Sequence, residues 1–179
     1  MKKRATVPLT ISALCLAGGV ILPQAFHFLP IPNAGGMLCP MHIPVLLCGI
    51  LCGWPWGLLC GILTPLLSSM ITGMPPLFPT GASMICELAT YGILSGLFYQ
   101  ITQGKIYATL FPAMLGGRFV MGISSLLFYN LAGKGYTFEL FLTSAFVTAL
   151  PGILLQLTLI PLLVVILKKS KLFPAQQNS

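Results

Sequence analysis

Six apolar runs take up almost the whole chain, and charge is confined to their ends with two exceptions. They extend from about Val7 to Phe28, Met37 to Gly53, Leu58 to Thr72, Ala82 to Tyr99, Tyr107 to Leu131 and Phe138 to Leu167. A bilayer core of about 30 Å takes roughly 20 apolar residues to cross as a helix. Inside lipid every backbone polar group must be satisfied internally, which leaves helices as the spanning structure for runs of this kind. Only 6% of the 179 residues are charged and 56% are hydrophobic, whereas a soluble domain carries about 25% charged residues. The sequence thus predicts an all-α integral membrane protein of six transmembrane helices with short loops. A single domain would fill residues 1–172, and residues 173–179 form a polar C-terminal tail.

The sparse charges report topology. The net charge is +7, but the basic residues stand at the ends of apolar runs and form no nucleic-acid patch. With six spans both termini share a side, and Lys2, Lys3, Arg4, Lys105, Lys168, Lys169 and Lys171 fall on it, against Lys134 opposite. The positive-inside rule then makes both termini cytoplasmic in a bacterial plasma membrane. The first run begins like a signal peptide, yet its best small-x-small site, Cys15-Leu16-Ala17, is poor and the run continues past it. It is expected to be a retained helix.

Glycine and proline punctuate the rest. Residues 29–36 form a breaker-rich connection that suits either a lid or a plain loop, with Asn33 giving it polar reach. Trp54-Pro55-Trp56-Gly57 reads as a tight turn at interface depth. Gly49, Gly53, Gly57 and Gly61 recur every fourth residue, so the second and third spans, or a neighbouring helix, are expected to approach closely. Gly73 to Gly81 is a Pro-rich turn. Pro151 and Pro161 lie inside the sixth run, where bends are expected. Ala13 and Ala17 place two small side chains on one face of the first helix, a pattern that serves either internal packing or a partner helix.

Two charges inside the membrane carry the functional argument. Glu87 lies in the fourth run, and Arg118 lies near the middle of the fifth. A charge at that depth costs about 2.5–3.5 kcal/mol on insertion scales, so each needs a partner or a use. Tyr91 shares the face of Glu87. Gly116 and Gly117 leave room beside Arg118, and Ser125 and Tyr129 continue its face toward Asn130. Ser144, Thr148 and Gly152 form a ridge on the sixth run, with Gln156 at its deep end. His42 opens the second run at the membrane edge as either a cavity or an interface residue, and Glu139 is expected to be solvated. Either these faces converge on a ligand cavity, or Glu87 and Arg118 form a structural ion pair; a pair that holds an empty site satisfies both readings.

Catalytic groups are scarce. The chain has two acids and two histidines, and it lacks the Walker, H-E-x-x-H and G-x-S-x-G motifs. A binding subunit needs only a shaped cavity with a few polar groups. Six cysteines lie mostly within apolar runs and read as packing. A metal or redox site built on Cys48, Cys52 and His42, and a structural partner without ligand, are the competing classes. Neither a cofactor nor a metal is called for.

Several stretches together resemble the substrate-binding S component of an energy-coupling factor (ECF) transporter. They are Pro40-Met-His-Ile-Pro-Val-Leu-Leu47, Thr64-Pro-Leu-Leu-Ser-Ser69, Gly73-Met-Pro-Pro76, Glu87-Leu-Ala-Thr-Tyr-Gly92, Gly117-Arg118 and Ala149-Leu-Pro-Gly-Ile-Leu-Leu-Gln156. The resemblance implies capture of a small water-soluble vitamin or related micronutrient from outside. It implies delivery inward with a membrane coupling subunit and two cytoplasmic ATPases, the S component toppling in the bilayer. It also implies that Ala13 and Ala17 dock the coupling subunit and that the first outer loop acts as a lid. The substrate site it implies draws on Asn33, His42, Glu87, Tyr91, Ser125 and Asn130, with Arg118 and Gln156 at its deeper end.

Overall fold

The structure, a computed structural model, describes residues 3–27 and 34–169. Among these it is helical, with six stretches long and apolar enough to cross a membrane: Thr6–Phe26, Gly35–Cys52, Trp54–Thr72, Leu77–Ile101, Ile106–Leu131 and Leu150–Lys169. The helices are α1 (Lys3–His27), α2 (Ala34–Leu38), α3 (His42–Cys52), α4 (Trp54–Thr72), α5 (Ala82–Ile101), α6 (Ile106–Leu131), α7 (Phe138–Leu142) and α8 (Leu150–Lys169).

The bundle is organised around α3, in which only Leu47 and Cys52 escape full burial. Helices α1, α4, α5 and α8 surround it. Lipid offers apolar side chains no hydrophobic reason to leave it, so association rests on close packing of backbones at small residues. Glycine supplies that here. A methyl group on Gly57 would run into the Gly92 carbonyl, one on Gly61 into the Leu88 carbonyl, and one on Gly96 into the backbone of Trp54. Gly49 faces Ser95 and Gly92 in the same way. The four-residue glycine spacing therefore brings the α3–α4 hairpin down on α5, with Gly92 and Gly96 as the matching half. Gly53 has another role: at φ 91° it is the whole turn between α3 and α4, a conformation that disfavours other residues.

The expected boundaries shift where proline sits. Trp54–Gly57 is the first turn of α4, with a proline in the opening turn where its missing N–H costs nothing. The second run breaks at Cys39–Met41 into α2 and α3, and Cys39 adopts φ 46°, unusual for a residue with a side chain. The sixth run breaks into α7, an irregular π-type turn at Thr143–Thr148, and α8. Gly152 seats the backbone of Met37 and Leu38, so α2 packs on the start of α8.

The two ends of the bundle differ. At one end α1 begins, α3 ends and α5 meets α6; there the Lys168 ammonium lies 5.5 Å from the centre of the Tyr99 ring, and the Cys52 thiol donates to the Pro8 carbonyl. At the other end α4 stops at Gly73, whose left-handed φ of 73° lets its N–H reach the Ser69 carbonyl at 2.9 Å. The chain then folds over that end through cis bonds at Met74–Pro75 and Phe78–Pro79 before α5 starts.

Candidate functional site

At this second end the α2–α3 break, the C-terminal turns of α1 and α4 and the Pro-rich turn enclose a cavity of about 740 Å³. Ligand pockets run from about 300 to 1,000 Å³. Gln24 comes from α1, Gly35 and Gly36 from α2, Ser68 and Thr72 from α4, and Thr80 and Met84 from the turn and α5. Cys39 and His42 form the wall toward the bundle interior. Local bonds fix the rim. The Ser68 hydroxyl donates to the Met74 carbonyl at 2.8 Å, the Thr72 hydroxyl donates to the Ser68 carbonyl at 2.7 Å, and Thr72 Oγ1 accepts from the Met74 N–H at 3.2 Å. Thr80 Oγ1 lies 2.9 Å from the Tyr129 hydroxyl, the Tyr129 and Tyr136 rings stand 5.1 Å apart, and Tyr136 Oη lies 3.0 Å from Ser144 Oγ. This chain of contacts ties the Pro-rich turn to α6 and to the π-type turn before α8.

Behind the wall lies the charged group. Glu87 Oε1 stands 3.2 Å from Arg118 Nη1 and 3.3 Å from His42 Nε2, with all three side chains buried. Both contacts are at ion-pair distance and neither is aligned as a hydrogen bond. Arg118 Nη2 also donates to Cys39 Sγ at 3.6 Å, while the Cys39 thiol donates to the Gly36 carbonyl at 3.2 Å. The Tyr91 ring meets the His42 ring edge-on at 5.1 Å. It also fills the space beside Gly117, where a Cβ would strike it. The room beside Arg118 is thus taken by Tyr91. His42 Nδ1, Tyr91 Oη and Arg118 Nε are buried without a hydrogen-bond partner. Such atoms cost about 1–3 kcal/mol each when left unmatched and call for an explanation.

The residues singled out from sequence separate into groups. His42, Glu87, Tyr91 and Arg118 come together, and of these only His42 lines the cavity. His42 is 3% exposed, so its ring faces the protein interior and neither lipid nor water. Gln156 is fully buried in α8 and its amide has no hydrogen-bond partner. Ser125 is buried in α6. Asn130 is exposed and accepts from the Tyr136 N–H at 3.4 Å, so it shapes the loop after α6. Glu139 is exposed, as expected. Asn33 lies outside the described residues, as does most of the 29–36 connection. Ala13 and Ala17 are both exposed on α1.

Sequence reasoning missed Gln24, Cys39, Ser68, Thr72 and Thr80. Ser68 and Thr72 do lie one helical turn apart, a signal available in the sequence. The cysteines divide: Cys39 borders the cavity, whereas Cys15, Cys52 and Cys60 converge on Cys48. His42 faces Glu87 and Cys48 faces other cysteines, so the three residues of the metal or redox reading do not meet. Among the described residues no three His, Cys, Asp or Glu side chains are arranged to hold a metal ion.

No match was found among curated proteins or among solved structures. A family model described as ECF transporter, substrate-specific component, matches residues 8–164. The chain therefore belongs to the ECF transporter substrate-specific components, multi-pass plasma-membrane proteins that form the substrate-binding subunit of such transporters and act with a coupling subunit and ATPases, not as enzymes.

Proposed function

We propose that the cavity at the end opposite the termini captures a small, vitamin-sized molecule from outside the cell. The observation that supports this most is the cavity itself: about 740 Å³, walled by Cys39, His42, Ser68, Thr72 and Thr80 and roofed by the Pro-rich turn. The lysine and arginine bias makes the terminal end cytoplasmic, so the cavity opens outward. Glu87, Arg118 and Tyr91 form the floor that holds His42 in place. Delivery inward follows docking of the exposed Ala13–Ala17 face of α1 on a coupling subunit, with two cytoplasmic ATPases supplying the energy.

A ligand screen on the purified protein in detergent tests the capture step. Thermal stability is followed against vitamins and nucleobase precursors. A ligand at 100 times its dissociation constant stabilises by about 2.7 kcal/mol. Gly36→Trp, at an exposed position on the cavity wall, is expected to abolish the shift while the variant melts like the wild type. No stabilising ligand from a broad panel, or an equal shift in Gly36→Trp, contradicts the reading.

A further inference from the structure

We infer that the cavity selects an uncharged, ring-bearing ligand, and that His42 Nδ1 accepts a hydrogen bond from an N–H or O–H on it. This rests on the capture reading above and narrows it to a chemical class.

Charge comes first. Among the described residues no Lys, Arg, Asp or Glu lines the cavity. The sequence 28–33, Phe-Leu-Pro-Ile-Pro-Asn, carries no charged residue. The nearest charges, Glu87 and Arg118, lie behind the wall at 3.2 Å from each other and cancel. A ligand carboxylate or phosphate would lose its water with no counter-charge in reach, which is costly in a low-dielectric site. An uncharged ligand avoids that cost.

The lining chemistry comes second. Met41, Met74 and Met84 present thioethers, and Pro23, Pro40, Pro75 and Pro76 present flat apolar faces. Thioether sulfurs pack favourably on aromatic rings. Ser68, Thr72, Thr80 and Gln24 supply donors and acceptors without charge.

His42 comes third. Its Nε2 is turned to the Glu87 carboxylate at 3.3 Å. Neither ring nitrogen has an aligned hydrogen bond, but a carboxylate 3.3 Å from Nε2 favours the proton there and leaves Nδ1 as the acceptor. The two nitrogens diverge, so Nδ1 points away from Glu87, and His42 itself lines the cavity. It is buried and has no partner. Glu87 and Arg118 act as positioning residues for this tautomer, and they do not touch the ligand.

The test uses matched pairs on the full chain in detergent near neutral pH: nicotinamide with nicotinate, uracil with uracil-6-carboxylate, and pyridoxine with pyridoxine 5′-phosphate. Melting temperature is followed against concentration. The uncharged member of at least one pair is expected to stabilise, with its charged counterpart at least tenfold weaker. His42→Gln, whose amide reaches the Nε2 position and leaves Nδ1 unreplaced, is expected to weaken binding about tenfold or more. His42→Asn, whose amide reaches the Nδ1 position, is expected to lose less. A charged member that binds as well as its neutral partner, and loses binding in Arg118→Gln, overturns the inference and leaves capture standing. Equal binding by His42→Gln overturns the role of Nδ1. Stabilisation by no member of any pair overturns this inference, and capture is then decided by the broad panel described above. The wild-type comparison within pairs needs no variant, so a His42 variant that fails to fold does not spare the proposal.

Discussion

Arg118 Nη1 lies 3.2 Å from Glu87 Oε1, and neither residue reaches the cavity that their charges border. Two charges buried within the membrane-spanning bundle are tolerated because they meet. The pair forms the back of the wall on which His42 and Cys39 stand.

Removing one partner therefore leaves a buried charge uncompensated. Arg118→Ala is expected to lower stability by about 3–5 kcal/mol. The double variant Glu87→Leu with Arg118→Met removes both charges and is expected to recover most of that loss, because a buried pair adds little net stability over an apolar pair of similar size. Thermal melts of the three proteins in one detergent decide it. A double variant no more stable than Arg118→Ala would show that the charges do more than neutralise each other.

The packing of α4 on α5 predicts a second asymmetry. Gly57 and Gly92 each face the other's carbonyl, with no room for a Cβ. Gly57→Ala is expected to cost about 1–3 kcal/mol, the usual range for overpacking. Gly135→Ala, with nothing within 4 Å, is the control and is expected to melt with the wild type.

These two cases mark what the sequence discloses. The six spans were legible because hydropathy depends on composition alone, and the four-residue glycine spacing correctly announced a close approach. Its partner was not legible: Gly92 and Gly96 became meaningful only when set against Gly57 and Trp54. Glu87 and Arg118 stood out because charge in lipid is rare. Their pairing left two readings open, and the geometry supports the internal pair more than a direct grip on ligand. His42 reads from sequence as either a cavity or an interface residue at a helix start, and α3 does begin there; what goes unseen is the α2 segment packed ahead of it. The break at Cys39, with its left-handed backbone, drops His42 inside. Ser68, Thr72 and Thr80 went unnoticed because small hydroxyl residues bond to nearby carbonyls in any helix or turn and carry no sequence signature of a cavity.

Orientation is open to a chemical test. Gly135→Cys lies in the exposed loop between α6 and α7, at the cavity end, and Gln103→Cys lies in the exposed link between α5 and α6. A membrane-impermeant maleimide is expected to label Gly135→Cys in intact cells above the background of the unsubstituted chain. Gln103→Cys is expected to react only after permeabilisation. The opposite pattern would place the cavity on the cytoplasmic side.

Docking makes a separate prediction. Ala13 and Ala17 are exposed on α1, so larger side chains there are expected to be accommodated without repacking the bundle. Ala13→Leu with Ala17→Leu is expected to leave the melting temperature and ligand-induced shift unchanged and to abolish co-purification with the coupling subunit and ATPases. Retained assembly would move the docking surface elsewhere on the bundle.

The most direct test of the whole account is uptake into proteoliposomes. They contain the chain with its coupling subunit and ATPases and are given the compound that stabilises it in the screen. The account predicts ATP-dependent accumulation by the wild type and none by Gly36→Trp, whose cavity is filled, although that variant still assembles. Accumulation by Gly36→Trp at the wild-type rate would contradict it, because the cavity beside His42 would then not be the route by which substrate is captured.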